Sequence, residues 1–478
     1  MAKQRSQGSY ALISLGCSKN LIDSERMAGL LNLEGYVLVP KAEGADFVVI
    51  NTCGFIHDAR SESHAVIREM LELKRRRRIR GVIVTGCLAE RDKEKLLETY
   101  PEIDQLVGVF GREEIATAVH RLPSRGRKNA AESCPGQQRT LFRPAPERPL
   151  PDAGRLRLTP SHLAFLKIAE GCDRACSFCS IPRLRGRYAS KPIDQIVAEA
   201  EELAADGARE LVLVAQETSS YGVDWDGRPR LADLLRRLRE IEGLAWIRLM
   251  YLYPVYITDE LVEMIASGGR IVPYLDLPLQ HIDDTVLGRM RRQVNRTQIE
   301  QLLARLRARI PGLVLRTTLM TGFPGESEAQ FETLLDFVRR QRFERLGAFA
   351  YSEEPGSAAA GLDGALSEDV KIARRDRLLA EQQPIAFAWS QAQVGRQMEV
   401  IVDRQVPGEQ PDAFLGRTYA DAPEVDGAVY VTGENLLPGQ LTPCEIVAAR
   451  DYDLIAVPLV ASESPLPPGA TISDGARG

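Results

Sequence analysis

No run of about 18 or more uncharged apolar residues occurs anywhere in the chain, so no membrane-spanning helix is expected. The opening residues, MAKQRSQGSYALISLGCSKN, lack both the long apolar core and the small-residue cleavage site of an export signal. Together these absences predict a cytoplasmic protein with no membrane partner. Cysteine is scarce, with eight in 478 residues, too few for a disulfide-built scaffold. A chain of this length buries a large core without such staples. Histidine is scarcer still: His57, His64, His120, His162 and His281 are the only five. With 44% hydrophobic and 27% charged residues, the composition is that of an ordinary globular protein of about three domains. In a reducing compartment, clustered thiols point to metal rather than to disulfides.

Six of the eight cysteines fall into two sets of three. Cys172, Cys176 and Cys179 form a compact C-x3-C-x2-C run in GCDRACSFCS. Cys17, Cys53 and Cys87 are dispersed, one at the end of each of the apolar runs YALISLGC, DFVVINTC and GVIVTGC. Three thiolates on a cubane iron–sulfur cluster leave one iron without a protein ligand, whereas a fourth cysteine closes the cluster for electron transfer. A structural zinc ion needs four ligands, and the compact run has no fourth cysteine or histidine nearby. For each dispersed cysteine the alternative is a core thiol packing like a small hydrophobe. Their shared position at strand ends is what argues for a common site. Cys134, in a Pro/Gly-rich stretch, is read as incidental, and Cys444 as structural.

The alternation of near-continuous apolar strands with helical segments predicts an α/β multidomain chain. Residues 8–120 read as a doubly wound parallel sheet, whose ligands sit beyond the carboxyl ends of the strands. Residues 121–160, rich in proline, glycine and charge, read as a linker. Residues 161–390 alternate again, through AFLKIAEG, ELVLVAQE, WIRLMYLY, YLDLPLQ, LVLRTTLMTGFPG and RLGAFAYS, and predict a partial (β/α) barrel. The compact cysteine run follows its first strand. Residues 395–462 change to short strands between turns and predict a small antiparallel β-barrel; 463–478 are expected to be a disordered tail. KRRRRIR at 74–80 could suggest nucleic acid, but its place between a helical pattern and a strand reads better as a solvated helix end.

On the C-x3-C-x2-C motif the chain resembles the radical S-adenosylmethionine enzymes. The resemblance implies that S-adenosylmethionine binds the open iron and is cleaved there to a 5′-deoxyadenosyl radical. It also implies that Phe178, between the last two cysteines, lies near the adenine; otherwise Phe178 is a core aromatic. SLGCSKNLIDSE, NTCGFI and TGCLAER, with the barrel and the terminal β-barrel, resemble the methylthiotransferases, whose last domain is an OB-like TRAM barrel. In that family Cys17, Cys53 and Cys87 would hold an auxiliary [4Fe-4S] cluster that handles sulfur, and Cys172, Cys176 and Cys179 the radical [4Fe-4S] cluster. GCSKN, CSIPRLRGRYASKP, QETSSYGVD, YLYPVYITDEL and YLDLPLQHIDDTVLGRM are similar to the RimO type, which modifies an aspartate of a small-subunit ribosomal protein. The alternative is the MiaB type, which modifies an adenosine in transfer RNA. Ser18 stands where proline is common in the family, and Glu217 where aspartate is common.

The resemblance implies methylthiolation of an aspartate β-carbon with two S-adenosylmethionine molecules, one as methyl donor and one as radical source. A reducing electron donor and a sulfur source are then needed. Glu217 could bind the methionine amino group and Gly322, in GFPGE, could border S-adenosylmethionine; a solvated carboxylate and a plain turn explain them as well. GFPGE lacks the Lys-Ser/Thr of a phosphate loop. From Gly395 to Gly478 there are five basic and thirteen acidic residues, a balance of −8 against −5 for the whole chain. Such a barrel repels RNA phosphates and attracts a basic protein, so no direct nucleic-acid grip is expected from it and a basic ribosomal protein is the expected partner. The alternative is an acidic surface that serves solubility alone.

Overall fold

The computed structural model describes residues 7–122, 138–407, 413–433 and 436–459. Cys134 and the tail 463–478 lie outside the described residues. Two compact units divide the chain at Ala386 and Phe387.

The first unit begins with β1 (Gly8–Ser14), α1 (Ser18–Leu33), β2 (Tyr36–Leu38), β3 (Phe47–Thr52), α2 (His57–Arg75), β4 (Gly81–Gly86), α3 (Cys87–Asp92), β5 (Gln105–Val107) and β6 (Thr140–Leu141). These strands form a six-stranded parallel sheet in the order β2-β1-β3-β4-β5-β6. Every residue of β3 and β4 is buried, as their unbroken apolar runs require of strands covered on both faces. The strand order reverses between β1 and β3, and such a reversal opens a crevice at the carboxyl ends of the strands. The basic run at 74–80 ends α2 and leads into β4. Four of its five arginines are matched by carboxylates: Arg75 with Glu102, Arg76 with Glu72, Arg78 with Glu43 and Arg80 with Asp46. The stretch read as a linker contributes more than a tether, because β6 extends the sheet beside β5 and Asp152 is fully buried.

The second sheet comprises β7 (Leu163–Lys167), β10 (Glu210–Val214), β11 (Trp246–Leu249), β12 (Ile271–Gln280), β13 (Val314–Thr321) and β14 (Arg345–Ala350). All six are parallel and lie in sequence order from β7 to β14. That is the order produced by right-handed strand–helix–strand units repeated without reversal. A short antiparallel pair, β8 (Ala169–Glu170) and β9 (Ala189–Ser190), brackets the compact cysteine run. Two of the intervening helices start at capping boxes, in which Asn295 and Ser327 each pair with the glutamine three residues on.

The second unit, from Phe387, contains β15 (Gln397–Gln405), β16 (Ala413–Arg417), β17 (Val429–Thr432), β18 (Leu441–Arg450) and β19 (Asp453–Pro458). They close into a barrel in the order β15-β16-β17-β19-β18. Val400, Val402, Val429, Val431, Ile446 and Cys444 fill it.

Candidate functional site

Cys17 precedes α1 directly after β1, Cys53 follows β3, and Cys87 opens α3 directly after β4. Parallel pairing of these strands brings the three ends to one crest. The glycines of the motifs make the approach possible. A Cβ on Gly16 would stand 2.9 Å from the Cβ of Cys53, and one on Gly54 would stand 2.8 Å from the carbonyl of Cys87. Gly16 also has φ +90, a conformation open to glycine at little cost. The Ser63 hydroxyl of α2 accepts from the Cys53 N–H at 3.0 Å and donates to its carbonyl at 2.9 Å, so it clamps that cysteine from both sides.

Asn20 ties the crest together. Its amide donates to the Leu15 and Thr52 carbonyls, each at 3.0 Å, and its Oδ1 lies 3.6 Å from the Cys87 sulfur. The same Oδ1 accepts from Arg185, which comes from the other domain of the unit. Burial raises the Cys17 thiol, but Lys19 and Arg185, together with the backbone N–H groups of Asn20 and Lys19, outweigh it and lower the pKa. Burial pushes the Cys53 thiol up, and that of Cys87 up to about 11. Negative charge on Cys17 raises Cys53, and negative charge on Cys17 and Cys53 raises Cys87, so the three stand within electrostatic reach of one another.

The compact triad lies just past β7 and β8, at the carboxyl rim of the second sheet. Gly171 has φ +76 and a Cβ there would sit 2.0 Å from the Arg187 carbonyl, so only glycine lets the loop leave β8. The Arg174 N–H donates to the Cys172 sulfur and the Ile181 N–H to the Cys179 sulfur, each at 3.4 Å. Arg292 reaches the Cys176 sulfur at 3.6 Å. Burial pushes the Cys172 thiol up to about 11 and the Cys179 thiol up to about 12. Raised thiols of this kind stay protonated at neutral pH until a cation takes the place of the protons. Among the described residues no three His, Cys, Asp or Glu side chains stand close enough to hold a single metal ion. Each triad offers thiols alone, the donor type of an iron–sulfur cluster.

Around the compact triad the structure places the other sequence-derived candidates. Phe178 packs edge-on against Phe323, with ring centroids 6.5 Å apart, beside Met290 and Tyr351. Phe323 follows Gly322, so the GFPGE loop and Phe178 line the same flank. Gly322 has φ +72, and its N–H donates to Glu326 at 3.0 Å. Glu217 is buried and is no solvated carboxylate: it accepts from the Ser220 N–H at 3.0 Å and from Arg174 at 3.1 Å. Arg174 and Arg292 both lie over the Tyr253 ring, at 4.4 Å and 4.1 Å from its centroid.

Sequence reasoning assigned no role to the charges that join the two domains of this unit. Asp23 of α1 accepts from Lys167 at 2.8 Å, from Arg185 at 2.7 Å and from Arg112. Asp152 pairs with Arg112 at 2.7 Å and with Lys191 at 2.6 Å. Glu170 adds a bond to Lys167 at 2.9 Å and Glu199 one to Lys191 at 2.6 Å. Four cations and four carboxylates, all buried, thus cancel. Separately, buried Glu354, just past β14, accepts from Arg91 at 2.9 Å and from Arg60, both of the first sheet's helices.

Three family descriptions match the chain: uncharacterized protein family UPF0004 over residues 9–108, the radical SAM superfamily over 166–338 and the TRAM domain over 394–459. The chain is 46% identical over 443 residues to the ribosomal protein uS12 methylthiotransferase RimO of Anaeromyxobacter sp. (strain K), covering 92% of this chain and 91% of that one. The RimO protein of Syntrophus aciditrophicus is 46% identical over 453 residues, with 94% and 98% covered. The chain belongs to the RimO-type radical S-adenosylmethionine methylthiotransferases. It is therefore a radical enzyme that transfers a sulfur-containing group and uses S-adenosylmethionine and iron–sulfur. Among solved structures, the radical S-adenosylmethionine methyltransferase TsrM of Kitasatospora setae shares the fold at TM-score 0.50 and 16% identity, over 72% of this chain and 73% of that one.

Proposed function

We infer that this RimO-type enzyme methylthiolates the β-carbon of an aspartate in ribosomal protein uS12, in the cytoplasm where ribosomes are made. The observation that carries the chemistry is the pair of separate sulfur triads within one unit, and the 46% identity to uS12 methylthiotransferases carries the substrate. Cys172, Cys176 and Cys179 would hold one [4Fe-4S] cluster, and Cys17, Cys53 and Cys87 a second. When bound, the first supplies the radical from S-adenosylmethionine and the second supplies the sulfur. Around the first, Glu217 and Arg174 offer opposite charges suited to the zwitterionic end of S-adenosylmethionine, and Phe178 and Phe323 an apolar wall suited to its adenosine. Around the second, Asn20 and Arg185 offer polar support to the sulfur ligands. An electron donor and a sulfur source complete the reaction.

The acidic terminal barrel supports a basic protein as substrate. Glu399, Glu424, Glu445 and Asp451 are exposed on it, whereas Asp421 is buried and accepts from Thr418, so its role is to hold a turn. Mass spectrometry of uS12 and of transfer RNA from a deletion strain tests the substrate. Loss of the methylthio group from uS12 is expected; loss from transfer RNA alone moves the chain to the MiaB reading. Replacing Cys172, Cys176 and Cys179 by alanine should leave about half of the iron, as for two independent cubanes. Complete loss of iron means one shared cluster.

A further inference from the structure

Among the buried cations described above in the first unit, Lys167, Lys191, Arg112 and Arg185 each meet a carboxylate and Lys19 does not. Lys167 and Lys191 each hold two or more, and Lys74 meets Asp104 at 2.6 Å. Lys19, only 8% exposed, meets none: among the described residues no carboxylate lies within ion-pair reach of its ammonium, and no acceptor within hydrogen-bond reach. Its contact is the face of Tyr251, 3.4 Å from Nζ to the ring centroid. A cation–π contact contributes about 0.5–2 kcal/mol and leaves the three N–H donors of the ammonium without a protein acceptor among the described residues. The neighbouring Ser18 hydroxyl is also buried with no hydrogen-bond partner.

The ring under Lys19 is held there at some cost. Tyr251 has φ +60, an uncommon conformation for a bulky side chain that collects at functional sites. Two bonds enforce it: its N–H donates to Asp276 at 3.0 Å and its carbonyl accepts from the Thr218 N–H at 2.9 Å. Thr218 adjoins Glu217, whose partner Arg174 lies two residues past Cys172. Lys19 itself lies two residues past Cys17. The unmatched ammonium therefore stands on a chain of contacts that links the two triads.

We propose that Lys19 is a specificity-determining residue that binds the carboxylate of the target aspartate. This rests on the uS12 reading above. The carbon to be modified is one bond from that carboxylate, so an ammonium gripping it fixes the β-carbon between the two sulfur triads. Adenine carries no anion, and enclosing it would leave Lys19 unmatched, so the same residue discriminates against a nucleoside. The competing role for Lys19 is to offset charge at Cys17 and its cluster.

The test compares reconstituted wild type, Lys19→Met and Lys19→Arg on recombinant uS12 carrying aspartate or asparagine at the target position. Lys19→Met keeps the stem over Tyr251 and removes the charge. Its preference for aspartate over asparagine should fall about 10- to 100-fold, the range of one charge-assisted hydrogen bond, mainly through KM. Lys19→Arg should keep most of the preference. Iron content and the electron paramagnetic resonance signal of the auxiliary cluster, recorded with Cys172, Cys176 and Cys179 replaced by alanine, should not change. An unaltered preference in folded Lys19→Met overturns the assignment. A changed signal with the preference kept also overturns it, in favour of charge compensation. If wild type leaves uS12 unmodified, the substrate reading itself falls, and the inference with it.

Discussion

Asp23→Asn should lower the stability of the first unit by about 3–5 kcal/mol, the cost of breaking a buried ionic network from one side. Asp23 accepts from three cations at once, Lys167, Arg185 and Arg112. At an effective dielectric of about 20, each such pair is worth about 4 kcal/mol before desolvation is subtracted. Asparagine leaves four buried cations facing three carboxylates. At about 2.1 cal/mol/K per residue, the 386 residues of the unit have an unfolding entropy near 0.8 kcal/mol/K, so a loss of about 4 kcal/mol lowers Tm by about 5 °C. Scanning fluorimetry of the reconstituted protein reads that shift. The exposed Arg236–Glu260 pair provides the control, because its removal should change stability by no more than about 1 kcal/mol. Adding Lys167→Met to Asp23→Asn should recover part of the loss by restoring the charge balance. The pH dependence has a definite sign. Despite burial, the neighbouring cations hold Asp23 below the usual carboxylate range and Asp152 well below it. Their contribution is complete above the unfolded value of about 3.9 and is lost as pH falls from there toward the folded values. The acid limb of Asp23→Asn should therefore be shallower than that of wild type. A Tm within about 1 °C of wild type would refute the view that this network joins the domains.

Gly54→Ala should deplete the auxiliary iron while sparing the compact site, since the new Cβ would meet the Cys87 carbonyl at 2.8 Å; iron analysis with the compact triad intact checks this, and full retention of iron argues against the packed crest. Cys444→Ala should leave iron unchanged and cost the terminal barrel about 1 kcal/mol, because it removes one buried sulfur from the core; urea denaturation and iron analysis read the two effects. Reversing Glu399, Glu424 and Glu445 to lysine should slow association with uS12, with a salt dependence weaker than in wild type, and leave S-adenosylmethionine cleavage alone; stopped-flow binding at two ionic strengths checks it.

The sequence was most legible where pattern and topology coincide. The apolar runs ending at Cys17, Cys53 and Cys87 located three strands, of which β3 and β4 are buried along their whole length, and the parallel sheet then required the three ends to converge. The strands of the second sheet were legible for the same reason. The roles of Asn20, Lys19, Arg185 and Asp23 were not. Each sits in a motif of the family, yet its partner is distant: Asp23 and Arg185 are 162 residues apart, Asn20 and Arg185 165. Periodicity tells which face of an element is covered and nothing of what covers it. Glu217 shows the limit from the other side, since a carboxylate at a strand end reads the same whether it is solvated or, as here, enclosed by two serines and an arginine. Thr140–Leu141 was hidden because two residues carry no period at all.

The two sulfur triads also differ in when they can exist. The ligands of one lie within eight residues of a single loop, a site that local chain closure can assemble. The ligands of the other depend on the register of β1, β3 and β4, a non-local parallel pairing of the kind that forms slowly. Until that sheet closes, Cys17, Cys53 and Cys87 are three unrelated thiols on a nascent chain. Maturation thus has a built-in order. On the proposed two-cluster reading, the compact site would accept iron as soon as its loop is made, whereas the dispersed one would report that its whole domain has folded. Partial unfolding should run the same order in reverse and release the auxiliary iron first.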